Sequence, residues 1–175
     1  MNSDTLIQRL THIGLIKTGE FTLKSGMKSN LYFDFKGLIS QPALIKELSV
    51  LVSNLITDTD VCISGVPIGG IPYAVIVSQL TNLPMVIVRD EKKNYGLCQQ
   101  IEGNTFGKEM ILIEDVITTG ASVMNTLDIL QANNIVVREV VCILDRGVGG
   151  VQRVCDAGYK VKTLYHINDI IGSMP

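Results

Sequence analysis

The sequence has no excess of charge of either sign. Its 15 lysines and arginines face 17 aspartates and glutamates, a formal net charge of −2. That balance gives no support to a nucleic acid or an anionic membrane as partner. No apolar run approaches the ~20 residues that span a bilayer. The first residues, MNSDTLIQRL, lack a basic leader and an apolar h-region, so a secretory signal is not expected. Four cysteines, Cys62, Cys98, Cys142 and Cys155, form no CxxC pair. A zinc site or disulfide framework is therefore not expected; buried reduced thiols and a cytoplasmic location are. There is no internal repeat and no low-complexity linker to divide the chain.

What is present fits one globular domain. The chain has 175 residues, 46% hydrophobic and 18% charged, enough to form a core without staples. Leu6, Ile7, Leu10 and Ile13 have helical spacing, with Ser3 or Asp4 as cap and Gly14 as terminator. The stretch EFTLKSGMKSNLYFDFKG reads as a hairpin turning at Ser25-Gly26-Met27, with Leu31, Phe33 and Phe35 alternating in strand period. Ser40 and Pro42 signal a helix whose apolar stripe runs from Leu44 to Leu55.

Beyond it, short apolar strands alternate with helices: VCISGV, then IPYAVIVSQL; MVIVR; MILIE, then ASVMNTLDIL; VVREVVCIL. Strands apolar on both faces and separated by helices predict a parallel sheet covered on both sides. Ligands of such sheets bind beyond the carboxyl ends of the strands. Four segments stand there: Val66–Gly70, Arg89–Gly96, Glu114–Ser122 and Asp145–Gly150.

In ILIEDVITTGAS, small residues and hydroxyls at Thr118-Thr119-Gly120-Ala121-Ser122 occupy a helix start, where free N–H groups and the helix dipole favour a phosphate; a capped βα turn with two solvated acids is the plain alternative. Neither GxxxxGK[ST] nor GxGxxG is present. Glu114 and Asp115 would repel a phosphate unless they face vicinal hydroxyls or a divalent cation. A phosphate carried by a polyol, such as ribose 5-phosphate, meets both conditions. VRDEKKNYG is the most charged stretch, with Arg89, Lys92 and Lys93 against Asp90 and Glu91; a solvated loop is its plain alternative. The glycines of SGVPIGGIP permit close backbone approach to a ligand, or only a tight turn. Arg146, in ILDRGVGG, suits a carboxylate ligand or an internal partner.

ILIEDVITTGAS resembles the phosphoribosyl diphosphate (PRPP) signature of type I phosphoribosyltransferases. With FTLKSGMKSNLYFDF, GVPIGGIP, VRDEKKNYG and ILDRGVGG in this order, the chain resembles the orotate phosphoribosyltransferases from about Leu6 to Gly150. The likeness is closest to the transferase half of bifunctional uridine monophosphate synthases, and with the sequence ending at Pro175 an attached decarboxylase domain is not expected. The resemblance implies an α/β fold of the type I phosphoribosyltransferase class. Its central, mainly parallel sheet would be flanked by helices (about 41–175) under an N-terminal α/β hood (about 1–40), in a single domain. It implies transfer of phosphoribose from PRPP to orotate with Mg²⁺, giving orotidine 5′-monophosphate and diphosphate on the route to uridine monophosphate.

By position, Thr118, Thr119, Gly120, Ala121 and Ser122 would hold the 5-phosphate. Glu114 and Asp115 would face the ribose hydroxyls, with Val116 and Ile117 in the same signature. Ile68 and Gly69 would cradle the diphosphate. Lys24, Tyr32, Phe33, Thr118 and Arg146 would line the orotate end, Lys24 also reaching PRPP. Arg89, Lys93 and Tyr95 would belong to a flexible loop entering the partner's site in a homodimer. Lys93 and Asp115 are the expected catalytic side chains, and Mg²⁺ would be held mainly by PRPP rather than by the protein. Asp90, Tyr95 and Gly69 depart from the family's commoner basic residue, histidine and lysine. Two other readings follow the same residues: transfer to a different base, and a PRPP-binding regulator without catalysis. His12 and His166 stand apart from the proposed site and are read as structural.

Overall fold

The computed structural model describes residues 8–10, 12, 14, 16–22, 26, 28–90 and 100–172. Gln8–Leu10 and His12 are helical and Gly14 turns the chain with φ +73°. Leu6, Ile7 and Ile13 of the expected helical stripe lie outside the described residues, as do Ser25 and Met27 of the expected turn. The hairpin follows: β1 (Ile16–Thr22) pairs antiparallel with β2 (Lys28–Phe33).

The alternation expected to run through Phe35 stops at Phe33. Asp34 accepts from the Gly37 N–H through both its side chain (3.2 Å) and its carbonyl (3.0 Å), which turns Phe35–Ser40 into a 3-10 helix. A side chain that bonds its own backbone offers an alternative to the strand ladder. The buried Tyr73 hydroxyl then donates to the Phe35 carbonyl at 3.2 Å and ties this turn to the core.

Helix α1 (Pro42–Leu55) starts with proline, whose missing N–H is not needed at a helix start. The core continues as β3 (Val61–Gly65), α2 (Ile71–Thr81), β4 (Ile87–Val88), β5 (Ile101–Glu102), β6 (Glu109–Ile117), α3 (Ala121–Ala132), β7 (Val137–Asp145), α4 (Gly150–Asp156), β8 (Lys160–His166) and α5 (Ile167–Gly172). Strands β3, β6, β7 and β8 form one parallel sheet in the order β3-β6-β7-β8. Strand β8 had no sequence expectation. KVKTLYH mixes lysines with apolar residues, a pattern suited to the sheet edge it forms.

MVIVR contributes less than a full sheet strand. Met85 bridges to Ile63 in parallel, and Ile87–Val88 then pairs antiparallel with Ile101–Glu102. Val86 and Val88 are buried while Ile87 is 40% exposed, so the segment is covered on one face only.

Period-two alternation assigns the sheet's side chains to two cores. Val61, Ile63, Ile111, Ile113, Val141 and Ile143 pack with α1, α2, Phe33 and Phe35. Cys62, Met110, Leu112, Val140 and Cys142 pack with Val123, Leu127 and Leu130 of α3 and Val154 of α4. From β3 the chain passes to Met85 on one side and returns to β6 on the other. That reversal of strand order opens a crevice between the carboxyl ends of β3 and β6, the place where open α/β sheets bind ligands.

Candidate active site

A cavity of about 610 Å³ lies at this crevice. Its walls are the β3–α2 loop, the end of β6 with the start of α3, the 3-10 turn, the end of β2, and Arg146 after β7. Segments far apart in the chain thus meet at one point of the sheet.

The stretch from Thr118 to Ser122 forms one wall. Gly120 precedes α3 with φ +74°, and no side chain caps the helix. Its first N–H groups therefore face the cavity without a side-chain acceptor, the arrangement that binds phosphate oxygens. Glycine is required at 120 for two reasons: its positive φ, and a Cβ there would lie 2.8 Å from the Gly150 carbonyl oxygen. Arg153 of α4 donates to the Thr119 carbonyl at 3.4 Å, placing a cation behind the loop that the sequence did not single out.

Glu114 and Asp115 form the floor, 6% and 8% exposed. Burial raises both carboxyl pKa values, Glu114 well above its usual range, and the neighbouring Asp115 raises it further. The Val116 N–H, 2.8 Å from Asp115 Oδ1, and the Lys36 ammonium act in the opposite direction on Asp115. Lys36 lowers Glu114 as well, whereas Asp90 raises it slightly. Lys36 lines the cavity from the 3-10 turn. The sequence left it out because FDFKG reads as strand continuation; the cation next to the aromatic pair was the available signal.

Ile68 and Gly69 line the cavity opposite Asp115, Ile68 being 70% exposed. A Cβ at position 69 would lie 2.3 Å from Asp115 Oδ2. Gly69 is thus more than a lost cation: Asp115 occupies the space that a side chain would need. Val116 and Ile117 also border the cavity, but the Ile117 side chain is 1% exposed and belongs to the second core. What Ile117 offers is its carbonyl, which accepts from the Arg146 N–H at 3.0 Å.

The remaining wall is aromatic. Tyr32 and Phe33 line it, and the Arg146 guanidinium stacks 4.7 Å above the Phe33 ring. Burial lowers the Arg146 pKa from its ordinary value, a sign that this charge has lost part of its hydration. A planar cation over an aromatic face is suited to a planar, anionic partner. His166, read as structural, lies beside the Arg146 turn, its Nε2 4.0 Å from Asp145 Oδ2. His12 is an exposed residue of the N-terminal helical segment.

Arg89, at the end of β4, pairs with Glu102 of β5 at 2.9 Å and does not line the cavity. Lys24, Lys93 and Tyr95 lie outside the described residues. Among the described residues, no group of three or more His, Cys, Asp or Glu is arranged to hold a metal ion, and no helix is long and apolar enough to cross a membrane.

A phosphoribosyl transferase domain model matches residues 37–161. The orotate phosphoribosyltransferase of Methanospirillum hungatei is 36% identical over 171 residues, covering 98% of this chain and 99% of its own. The uridine 5′-monophosphate synthase of Caenorhabditis elegans is 36% identical over 171 residues, covering 95% of this chain and 34% of its own. Among solved structures, orotate phosphoribosyltransferase from Aeropyrum pernix has a TM-score of 0.83 at 25% identity, covering 95% of this chain and 96% of that one.

Proposed function

The chain belongs to the phosphoribosyl transferase family, among the orotate phosphoribosyltransferases, and on that premise we propose the following chemistry for its cavity. It transfers the phosphoribosyl group of PRPP to orotate, yielding orotidine 5′-monophosphate and diphosphate for pyrimidine biosynthesis. The carrying observation is a buried acid pair between an uncapped helix N-terminus and a cation stacked on an aromatic ring.

The 5-phosphate occupies the α3 N-terminus at Thr118–Ser122, and Glu114 and Asp115 accept from the ribose hydroxyls. Backbone around Ile68 and Gly69 receives the diphosphate. Phe33 and Tyr32 bear the flat base, whose carboxylate meets Arg146. As the glycosidic bond forms and the diphosphate leaves, positive character on the ribose carbon faces Asp115 while negative charge collects on the leaving group. Stabilisation that grows with that charge accelerates the step.

Mg²⁺ is the proposed cofactor; it would be held mainly by PRPP rather than by protein side chains and would supply positive charge against the developing charge of the leaving diphosphate. The donor set fits this role. Lys36 and Arg146 are the basic side chains among the described lining residues, against Asp34, Glu114 and Asp115. A polyanionic substrate would need further positive charge in such surroundings. Lys93 supplies the rest from the segment between Asp90 and Gln100. Its replacement by alanine is expected to lower kcat by about two orders of magnitude, with a much smaller change in PRPP affinity.

A homodimer is proposed as the working form. Val50 on α1 and Val75 and Leu80 on α2 are exposed apolar side chains, 39%, 44% and 42%, available to a second copy. Light scattering coupled to size exclusion tests it, a monomer at micromolar concentration counting against it. A cytoplasmic location is proposed on the free Cys62 and Cys142 thiols, both buried.

The decisive assay follows loss of orotate absorbance with PRPP and Mg²⁺, with adenine, hypoxanthine and uracil in parallel. Turnover of another base but not orotate would replace the acceptor. PRPP binding with no turnover of any base would make the protein a regulator.

A further inference from the structure

The C-terminal strand and helix were given no role by the sequence, yet their junction touches the turn that carries Arg146. Strand β8 ends at His166 and α5 begins at Ile167. Three contacts describe the junction. His166 Nδ1 accepts from the Asn168 N–H at 3.2 Å, and Asp169 Oδ2 accepts from the His166 N–H at 2.8 Å, a reciprocal cap on α5. His166 Nε2 faces Asp145 Oδ2 at 4.0 Å.

The two imidazole nitrogens therefore do different things. With Nδ1 accepting, a neutral ring carries its proton on Nε2, the atom directed at the Asp145 carboxylate. At 4.0 Å this is an electrostatic contact and not a direct hydrogen bond.

Asp145 uses its other oxygen locally. Oδ1 accepts from the Gly147 N–H at 2.8 Å, closing a turn around Arg146. Gly147 has φ +65°, and a Cβ on it would lie 2.9 Å from His166 Nε2, so the imidazole packs directly on that backbone. The Arg146 N–H is fixed from the other side by the Ile117 carbonyl at 3.0 Å. The Asp145–Gly147 turn thus shapes the backbone from which the Arg146 guanidinium reaches over Phe33.

We propose that His166 is a positioning residue for the base end of the site, holding Asp145 and the turn that presents Arg146 through Nε2. The proposal rests on the reading that Arg146 meets the carboxylate of the acceptor base. It assigns the β8–α5 junction a role in base binding and none in PRPP binding.

Three variants of the full chain, His166→Ala, His166→Gln and His166→Asn, separate the functions of the two nitrogens. Glutamine places an N–H donor near the Nε2 position; asparagine places an acceptor near Nδ1 and keeps only the helix cap. Steady-state kinetics are measured with orotate and PRPP varied separately, and thermal midpoints are recorded alongside. His166→Ala is expected to raise KM for orotate about fivefold, the upper range for a single partly exposed polar contact, with KM for PRPP within about twofold. His166→Gln is expected to restore the orotate KM and His166→Asn to leave it raised. The proposal is overturned if alanine leaves the orotate KM unchanged, if both KM values rise together, or if asparagine restores it and glutamine does not. Absence of orotate turnover by the unaltered chain is a separate result: it removes the functional reading of the site and this inference with it.

Discussion

At the end of the cavity proposed to take the phosphate, everything from Glu114 to Ser122 comes from one continuous stretch, and much of what it presents is backbone. At the end proposed to take the base, Phe33 and Arg146 come from separate segments and present side chains, with His166 beside the Arg146 turn. The first end is held by the β6 ladder and by glycine contacts that leave no room for a methyl group. The second is held by a ring stacking, one turn hydrogen bond and the approach of His166 Nε2 to Asp145 across the sheet's end. Rigid backbone suits the part of a substrate that every member of such a family shares; assembled side chains suit the part that varies.

The comparison is broken most severely at Gly150. A Cβ there would lie 2.2 Å from the Thr118 carbonyl oxygen, backbone that cannot move aside. Gly150→Ala is expected to destabilise the chain by about 1–3 kcal/mol and to impair PRPP binding more than orotate binding. Urea denaturation and separate KM values check both. Equal losses at the two ends would show that they do not behave as distinct units.

At the other end, Arg146→Ala is expected to weaken orotate about ten- to a hundredfold, the range for hydrogen bonds to a charged group, and to leave PRPP affinity nearly unchanged. Titration calorimetry with each ligand reads the split directly.

Glu114 sets function against stability within the phosphate end. Its folded pKa is raised by burial, so the folded state takes up the proton before the unfolded chain does. The contribution of this group to stability is greatest below its unfolded pKa and is lost as pH rises through the folded value. Glu114→Gln removes the buried charge. It is expected to raise the thermal midpoint at pH above the raised folded pKa, to make little difference below about pH 4, and to weaken PRPP. A midpoint difference independent of pH would refute the electrostatic account.

The smallest effect is expected at Lys36. Its ammonium opposes the upward shift of both acids, so Lys36→Met should move the acidic limb of kcat/KM for PRPP to higher pH, and Lys36→Arg should leave it in place. An unmoved limb in the methionine variant would remove Lys36 from the site's electrostatics.

Legibility followed the same division. The helix stripe of Leu44–Leu55 and the buried β6 strand were readable because period and length are local properties, and the hydroxyl-rich turn was readable because its chemistry is contiguous. Phe35 was misjudged as strand because the Asp34 side chain redirects the backbone one residue earlier. β8 was missed because an edge strand carries lysines where a buried one carries valines. MVIVR reads as a full strand, whereas among the described residues its pairing with the central sheet is the single bridge at Met85.

By itself the sequence determined the alternation of strand and helix, the hydroxyl-rich start of α3 and the acid pair beside it, since these depend on neighbours a few residues apart. Only the tertiary structure decided that Asp115 fills the space above Gly69, that Lys36 faces the acids, and that His166 supports the turn of Arg146. Those relations arise where the sheet's strand order reverses and distant chain ends converge. Close packing there, rather than any local pattern, fixes which atoms meet.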